Sequence, residues 1–402
     1  MERVATGQQS GTHAEKTSRQ PSVGREGRLV SLDAFRGATI ASMILVNNPG
    51  SWKYIYPQLA HASWHGWTFT DWIFPFFLYI VGVALTLSFA KRVAAGDNKT
   101  RLFMHVVRRS VIIFALGLFL AGFPFGLAWE HHFSLETIRI PGVLQRIAVC
   151  YLIASAIFLT SGLRGQIIWT LSLLALYWIA LVVVPVPGYG AGVLDPTGSL
   201  PWYIDSNLLA GHTWRGAPVP GFDPEGILST LPAIATTLFG VLTGHWLRTQ
   251  RSMEEKTGWM FVVGNAFLLL GAILDIWLPI NKNLWTSSYS IFMAGWALVC
   301  FAMFYWLIDV KGYKKWATPL VIYGMNAIAV FVLSGIVGRM LGLITVTETD
   351  GTQLPLQPYI FRHFYLPLAD PLNASLLFAM SFILVMFFVV WILWRQKWFL
   401  KV

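Results

Sequence analysis

The chain has 402 residues, 55% of them hydrophobic and 12% charged, with 19 tryptophans and 28 phenylalanines. An ordinary soluble domain is about a quarter charged, so composition overrules the two or three soluble domains that length alone suggests and favours one polytopic membrane bundle. The net charge of +10 lies in short connectors between apolar runs and forms no basic helix or aromatic-basic module, which excludes nucleic acid as a partner.

Residues 1–30 read as a disordered cytoplasmic tail; the first 28 are polar and lack the apolar centre of a cleavable signal peptide. Ten apolar segments follow, near 31–49, 71–90, 105–122, 142–160, 166–184, 225–246, 258–278, 287–308, 317–341 and 373–394. Each suits a hydrocarbon core of roughly 30 Å, so the fold class is an all-α bundle of about ten transmembrane helices, with 31–402 a single domain. With a cytoplasmic amino terminus, the inner connectors hold 21 Lys/Arg and the outer ones 5. That asymmetry places both termini in the cytoplasm. The outer connectors 185–224 and 342–372 are long and rich in Pro, Gly and aromatic residues, as lids or binding surfaces are. Cys150 and Cys300 both fall in apolar stretches and suit small core residues, not a disulfide or a metal site.

Charged groups inside a membrane pair or face a water-filled cavity. In the first span, Asp33 and Arg36 are three apart and can pair on a helix; alternatively Arg36 meets a phosphate-bearing ligand from the cytoplasm. Asn47 ends that span. The connector after it carries His61-Ala62-Ser63-Trp64-His65-Gly66 and then Asp71, an unusual place for an imidazole, the side chain that most readily exchanges protons near neutral pH. His61, His65 and Asp71 fall short of a metal set, which needs three or four ligands at defined spacing, and no metal is expected. The six-residue step from His65 to Asp71 misses the five-residue His-to-Asp pattern of soluble glycerolipid acyltransferases.

Gln145 and Arg146 lie in the fourth span, where the arginine needs an anionic ligand or a partner among Asp275, Glu136 and Glu225. Asp223-Pro224-Glu225-Gly226 is helix-start grammar, Asp as N-cap and Pro at the first turn, with Glu225 free to present a carboxylate at the rim. The turn Pro279-Ile280-Asn281-Lys282-Asn283-Leu284-Trp285 offers donors for an anion or a sugar hydroxyl. Asn326 places an amide inside the ninth span, where it binds a ligand or bridges helices.

In order, Leu32–Gly37, Val46-Asn47, His61–Gly66, Asp71–Pro75, Arg139–Arg146, Asp223–Gly226, Asn281–Trp285 and Gly324–Asn326 resemble the transmembrane acyltransferases related to lysosomal heparan-α-glucosaminide N-acetyltransferase. The likeness runs from residue 31 to about 330. It implies transfer of an acetyl group from acetyl-CoA to the amine of glucosamine or a related amino sugar, with His61 as the active-site histidine and Asn47 as its supporting asparagine. Arg36, Arg146 and Lys282 become candidates for acetyl-CoA contact, and Asp71, Gln145, Glu225, Asp275, Asn283 and Asn326 for the sugar. Two departures stand out: the chain starts close to the first matching stretch, without the large luminal portion and extra span of the family enzyme, and His65 stands where Asn is common. The first points to a bacterial-type member in the inner membrane, acting on a free or cell-wall-derived amino sugar.

The residues suit that chemistry. A neutral imidazole can take the ammonium proton near pH 7, an amide or cation can stabilise the thioester oxyanion, and an acetyl-histidine route is open because His is a competent nucleophile. Expected partners are the amino sugar, acetyl-CoA and the bilayer, with homodimerisation left open. The rival class is a sugar permease whose polar residues line a permeation path; transporters commonly show repeated halves, and none is visible.

Overall fold

The computed structural model describes residues 29–126 and 134–399. The expected tail falls almost wholly on residues outside these. Thirteen α-helices occur among the described residues: α1 Val30–Asn47, α2 Ile73–Ala94, α3 Lys99–Gly122, α4 Val143–Thr160, α5 Leu163–Val183, α6 Leu200–Leu208, α7 Thr230–Leu247, α8 Met253–Leu274, α9 Ser287–Tyr305, α10 Thr318–Met325, α11 Ala327–Leu343, α12 Leu356–Ile360 and α13 Pro371–Arg395. One small antiparallel hairpin, β1 Thr345–Thr347 with β2 Gln353–Pro355, lies between α11 and α12.

A helix occupies each of the ten expected stretches, and the protein is an all-α polytopic membrane protein. Seven helices are long and apolar enough to cross a bilayer, eight if the bent pair α10–α11 counts as one span. Helices α1 and α7 are not among them. Both have 18 residues, as the counted α4 does, so composition and not length sets them apart: α1 carries Asp33 and Arg36, and α7 carries threonines, glycines and His245. Helix α7 is packed on all sides, with nearly every residue from Pro232 to Gly244 buried, so its threonines and glycines never face lipid. The outward faces of α5, α8 and α13 instead expose Ile167, Ile168, Leu171, Val262, Leu269, Leu384, Val385 and Phe388. Apolar faces of that extent belong against hydrocarbon.

Close helix contacts depend on missing side chains. A methyl group at Gly82 of α2 would lie 1.9 Å from the Thr237 carbonyl oxygen of α7, and one at Gly240 would lie 2.0 Å from that of Tyr79. The Tyr79 hydroxyl then donates to Thr243 Oγ1 at 2.8 Å across the same contact. Small residues that let helix backbones approach are the usual glue between helices in a membrane. Gly37 of α1 and Gly324 of α10 repeat the device, with clashes at 1.7 and 2.0 Å.

Two expectations are corrected. The ninth span is not continuous: α10 and α11 meet at 81° around Asn326, whose backbone N–H bonds Tyr323 and whose carbonyl accepts from Val330. The Asp223–Gly226 segment does not open a helix. It is a turn, and α7 begins at Thr230; the Asp223 carboxylate accepts from the Glu225 N–H as well as from Arg139 and the Trp214 N–H. The 185–224 connector holds α6 and is fastened to the α1–α2 connector by the Trp64 indole N–H, which donates to the Leu194 carbonyl at 2.9 Å.

Candidate active site

Thr68 and Asp71 form a capping box at the 3-10 turn Phe69–Trp72 that leads into α2, each satisfying the other's backbone N–H. Asp71 Oδ2 accepts from the backbone N–H of Thr68 at 3.0 Å and of Ala62 at 3.1 Å. That leaves Oδ1 for His61 Nδ1, at 2.6 Å. The carboxylate is 1% exposed and the imidazole side chain 50%. A carboxylate only accepts hydrogen bonds, so Nδ1 carries the proton, and in the neutral ring Nε2 holds the lone pair. The pair therefore presents an oriented base or nucleophile at one end of the bundle.

The turn between α8 and α9 closes on this pair. The Gly66 N–H donates to the Ile280 carbonyl at 2.7 Å, and the buried Asn281 holds the turn by accepting from the Leu284 N–H at 2.8 Å. The Asn281 amide also reaches His65 Nδ1 at 3.3 Å. Lys282 Nζ lies 3.3 Å from His61 Nδ1 and 3.4 Å from Nε2. Burial depresses the Lys282 pKa below the usual lysine range, against the pull of the Glu225 and Asp71 carboxylates.

Arg139 ties the next layer together. Its guanidinium bonds Asp223 through Nε at 2.8 Å and Nη2 at 2.6 Å, reaches Glu225 at 2.5 Å, and stacks on Trp214. Glu225 is held below the ordinary glutamate range: burial opposes its ionisation, but Arg139, Lys282 and Arg146 together outweigh it. Arg146, 2% exposed, donates to the Gly226 carbonyl at 3.0 Å and Ser229 Oγ at 2.5 Å and lies over the Trp285 ring. Asp205 on α6 is fully buried against Gly226, accepts from the Ile227 N–H at 2.9 Å, and has its pKa raised by that burial to about 7. Three cations (Arg139, Arg146, Lys282) thus face three firm carboxylates (Asp71, Asp223, Glu225), and no surplus positive charge remains here for a phosphate.

A cavity of about 830 Å³ opens on the other side of Arg139, between α1, α3, α4 and α11. Its walls include Asn47, Gln145, Arg215, Arg339 and Gln357, and a strip of α11 with Gly335, Gly338 and Gly342, of which Gly342 faces open space. Gln145 is 5% exposed, and no hydrogen bond from a described residue reaches its side chain. Asn47 is exposed into the cavity and likewise uncommitted. The volume suits a ligand larger than a monosaccharide.

The structure brings His61, Asp71, Lys282, Glu225 and Arg146 into one charge network and places Asn47 and Gln145 together in the cavity. It does not join the others to them. Arg36 pairs with Asp33 at 3.3 Å and reaches the Gly324 carbonyl at 3.4 Å, roughly 16 Å along α1 from Asn47 at 1.5 Å per residue. Asp275 is not the partner of Arg146; it caps the end of α8 and accepts from the Ile280 N–H at 2.5 Å. Glu136 is not that partner either: it is exposed, and its own N–H donates to Ser134. Asn283 is half-buried in the turn and Asn326 sits at the helix break; neither lines the cavity. Asp71 is consumed in aiming His61. Sequence reasoning gave no site role to Arg139, Arg339 and Gln357, and read Asn281 only as a donor in its turn; the one signal available for Arg139 was that it lies inside a stretch already singled out.

These elements define a polytopic helical membrane protein with a carboxylate–imidazole–ammonium centre, anchored on a buried aspartate, beside a large cavity. The catalytic-region pattern described as "Heparan-alpha-glucosaminide N-acetyltransferase, catalytic" matches residues 28–278, and the chain belongs to that family. It is 32% identical over 354 residues to heparan-alpha-glucosaminide N-acetyltransferase of Homo sapiens, covering 76% of this chain and 52% of that protein. The Mus musculus protein of the same name is 30% identical, with 76% and 53% covered. The chain thus spans about half the length of the curated relatives it matches.

Proposed function

We propose that this protein transfers an acetyl group from acetyl-CoA to the amine of glucosamine or a related amino sugar, in a bacterial inner membrane. The observation that carries this reading is the Asp71–His61 pair, 2.6 Å apart, in a chain of the acetyltransferase family. The free Nε2 removes a proton from the acceptor ammonium. The amine nitrogen attacks the thioester carbonyl, the C–S bond breaks, and the thiolate leaves with a proton; in the alternative route Nε2 itself accepts the acetyl group first. The elongated donor fits the 830 Å³ cavity, where Asn47, Gln145 and Gln357 match its amides and Arg215 and Arg339 its phosphates. Homodimerisation stays open.

Purified protein in detergent should release thiol from acetyl-CoA and acetylate glucosamine; no acetylation across a panel of amino sugars would overturn the reading. The same test separates the permease alternative, favoured by the helix break at Asn326, because broken helices mark many transporters but detergent removes the compartments a permease needs. Ten spans with both termini cytoplasmic complete the proposal. A cysteine placed at Ala210 should label from outside and one at Asp97 should not; the reverse pattern would invert the orientation.

A further inference from the structure

We propose that Lys282 is the oxyanion-stabilising group of the acetyl-transfer step, its ammonium carried to His61 by the turn between α8 and α9. The proposal rests on the acetyl-transfer reading above and gives Lys282 a part in the chemistry, not in holding the donor.

Construction of the turn is the first argument. Residues 275–286 join α8 to α9, a connection longer than the 2–8 residues usual between bundle helices. It is also strained: Trp285, 1% exposed, sits at φ 52°, a region that bulky residues avoid and that costs about 1–3 kcal/mol. The surroundings enforce it. The Trp285 indole N–H donates to Thr236 Oγ1 at 3.2 Å, its ring meets Phe74 and Tyr289 edge-on, and Arg146 covers its face. Thr286 Oγ1 accepts from the Asn281 N–H and donates to the Pro279 carbonyl. The Gly66–Ile280 hydrogen bond ties the turn to the His61 connector.

Position is the second argument. An atom bonded to or approaching His61 Nε2 lies within about 3 Å of it, and Lys282 Nζ is 3.4 Å from that nitrogen. As the nucleophile adds to the thioester carbon, the C=O π pair moves onto oxygen, where the ammonium donates a hydrogen bond. When the pair returns, the C–S bond breaks and its electrons leave on sulfur. Asn47, the other donor considered for that oxygen, lines the cavity and makes no hydrogen bond to His61, Asp71 or Lys282 among the described residues.

Charge is the third. The Asp71 and Glu225 carboxylates both act electrostatically on Lys282, and Glu225 is itself bonded to Arg139. The two carboxylates attract the ammonium against the burial that depresses its pKa, which leaves it poor at capturing a phosphate and suited to a transient charge.

The test uses the full chain in detergent, with Lys282→Met and Lys282→Arg, after melting curves show both folded. Measured are kcat, KM for acetyl-CoA, and binding of CoA by calorimetry. Lys282→Met should lower kcat by about 10²–10³-fold, the loss typical of one oxyanion donor, with KM and CoA affinity unchanged, and Lys282→Arg should recover part of that kcat. Unchanged kcat with raised KM and weakened CoA binding would make Lys282 a donor anchor and overturn the proposal. Equal losses in both variants, with lowered melting temperatures, would make it structural; should Lys282→Met not fold, Lys282→Gln takes its place. An inactive parent chain would sink the acetyl-transfer reading and this proposal with it, whereas an active parent with an indifferent Lys282→Met variant sinks this proposal alone.

Discussion

The polar centre around His61 and the cavity beyond Arg139 share one arginine and differ in almost everything else. Around His61 the carboxylates are committed: Asp71 takes four hydrogen bonds from His61, Ala62 and Thr68, and Asp223 takes bonds from Arg139, Trp214 and Glu225. In the cavity, Asn47 and Gln145 are committed to no described residue, and Gly342 of α11 faces open space. Saturated polar groups fix the direction of a neighbour and have little left for a ligand. Unsaturated ones, in a space that water or a substrate can enter, are what a ligand replaces.

His61→Ala attacks the saturated side and carries the largest expected effect. Acetyl transfer should fall at least about 100-fold, the lower end of what a general base supplies, with melting unchanged. A folded variant at near-parental kcat/KM would remove chemistry from this centre.

Gly342→Phe attacks the open side. A Cβ added at Gly342 meets no atom within 4 Å, so a ring can start there without a clash, and the fold should tolerate it while the cavity loses volume. KM for acetyl-CoA should rise about tenfold, equivalent to ~1.4 kcal/mol. If donor affinity holds and acceptor affinity falls, the cavity belongs to the sugar.

Asp205→Asn probes a group that the centre buries without an opposing cation bonded to it. The folded pKa of about 7 lies above the reference value of 3.8, so the folded state binds the extra proton. The stability from that proton is complete below about pH 4 and is lost as pH rises through 7. The asparagine variant cannot ionise, so it should melt above the parent at pH 8 by roughly 2–4 °C or more, the shift worth about 1 kcal/mol, and the gap should close toward pH 4. A gap that is constant with pH would show that Asp205 does not titrate in this window.

His65→Asn is the smallest perturbation. The exposed imidazole touches Asn281 at 3.3 Å, and its replacement should keep the rate within about twofold, as for surface changes of about 0.5 kcal/mol. A large loss would extend the saturated centre to the second histidine.

The helices were legible because long apolar runs have few alternatives in a bilayer, and the Asp33–Arg36 pair because both partners lie on one turn of one helix. The break at Asn326 was not, since an amide inside an apolar run looks the same whether it bridges helices or marks a bend. Within the site, His61 stood out by its type and place. The role of Asp71 was missed because the carboxylate is ten residues away and its direction depends on a capping box at Thr68. Arg139 was illegible for a stronger reason: its partners are 84 and 86 residues further on. The cavity is written in glycines, and a glycine does not announce what it faces.

The clasp at the start of the His61 connector bears on where this protein can be divided. The Gly50 N–H donates to the Ser375 carbonyl at 3.2 Å, the Ser51 N–H to Ser375 Oγ at 3.1 Å, and the Gln357 amide to the Pro49 carbonyl at 2.7 Å. All three fasteners come from beyond residue 278, where the family match ends, as does Lys282. The border drawn by sequence similarity is therefore not a seam in the fold. A polypeptide stopped there would keep the histidine and lose the parts that hold its segment in place.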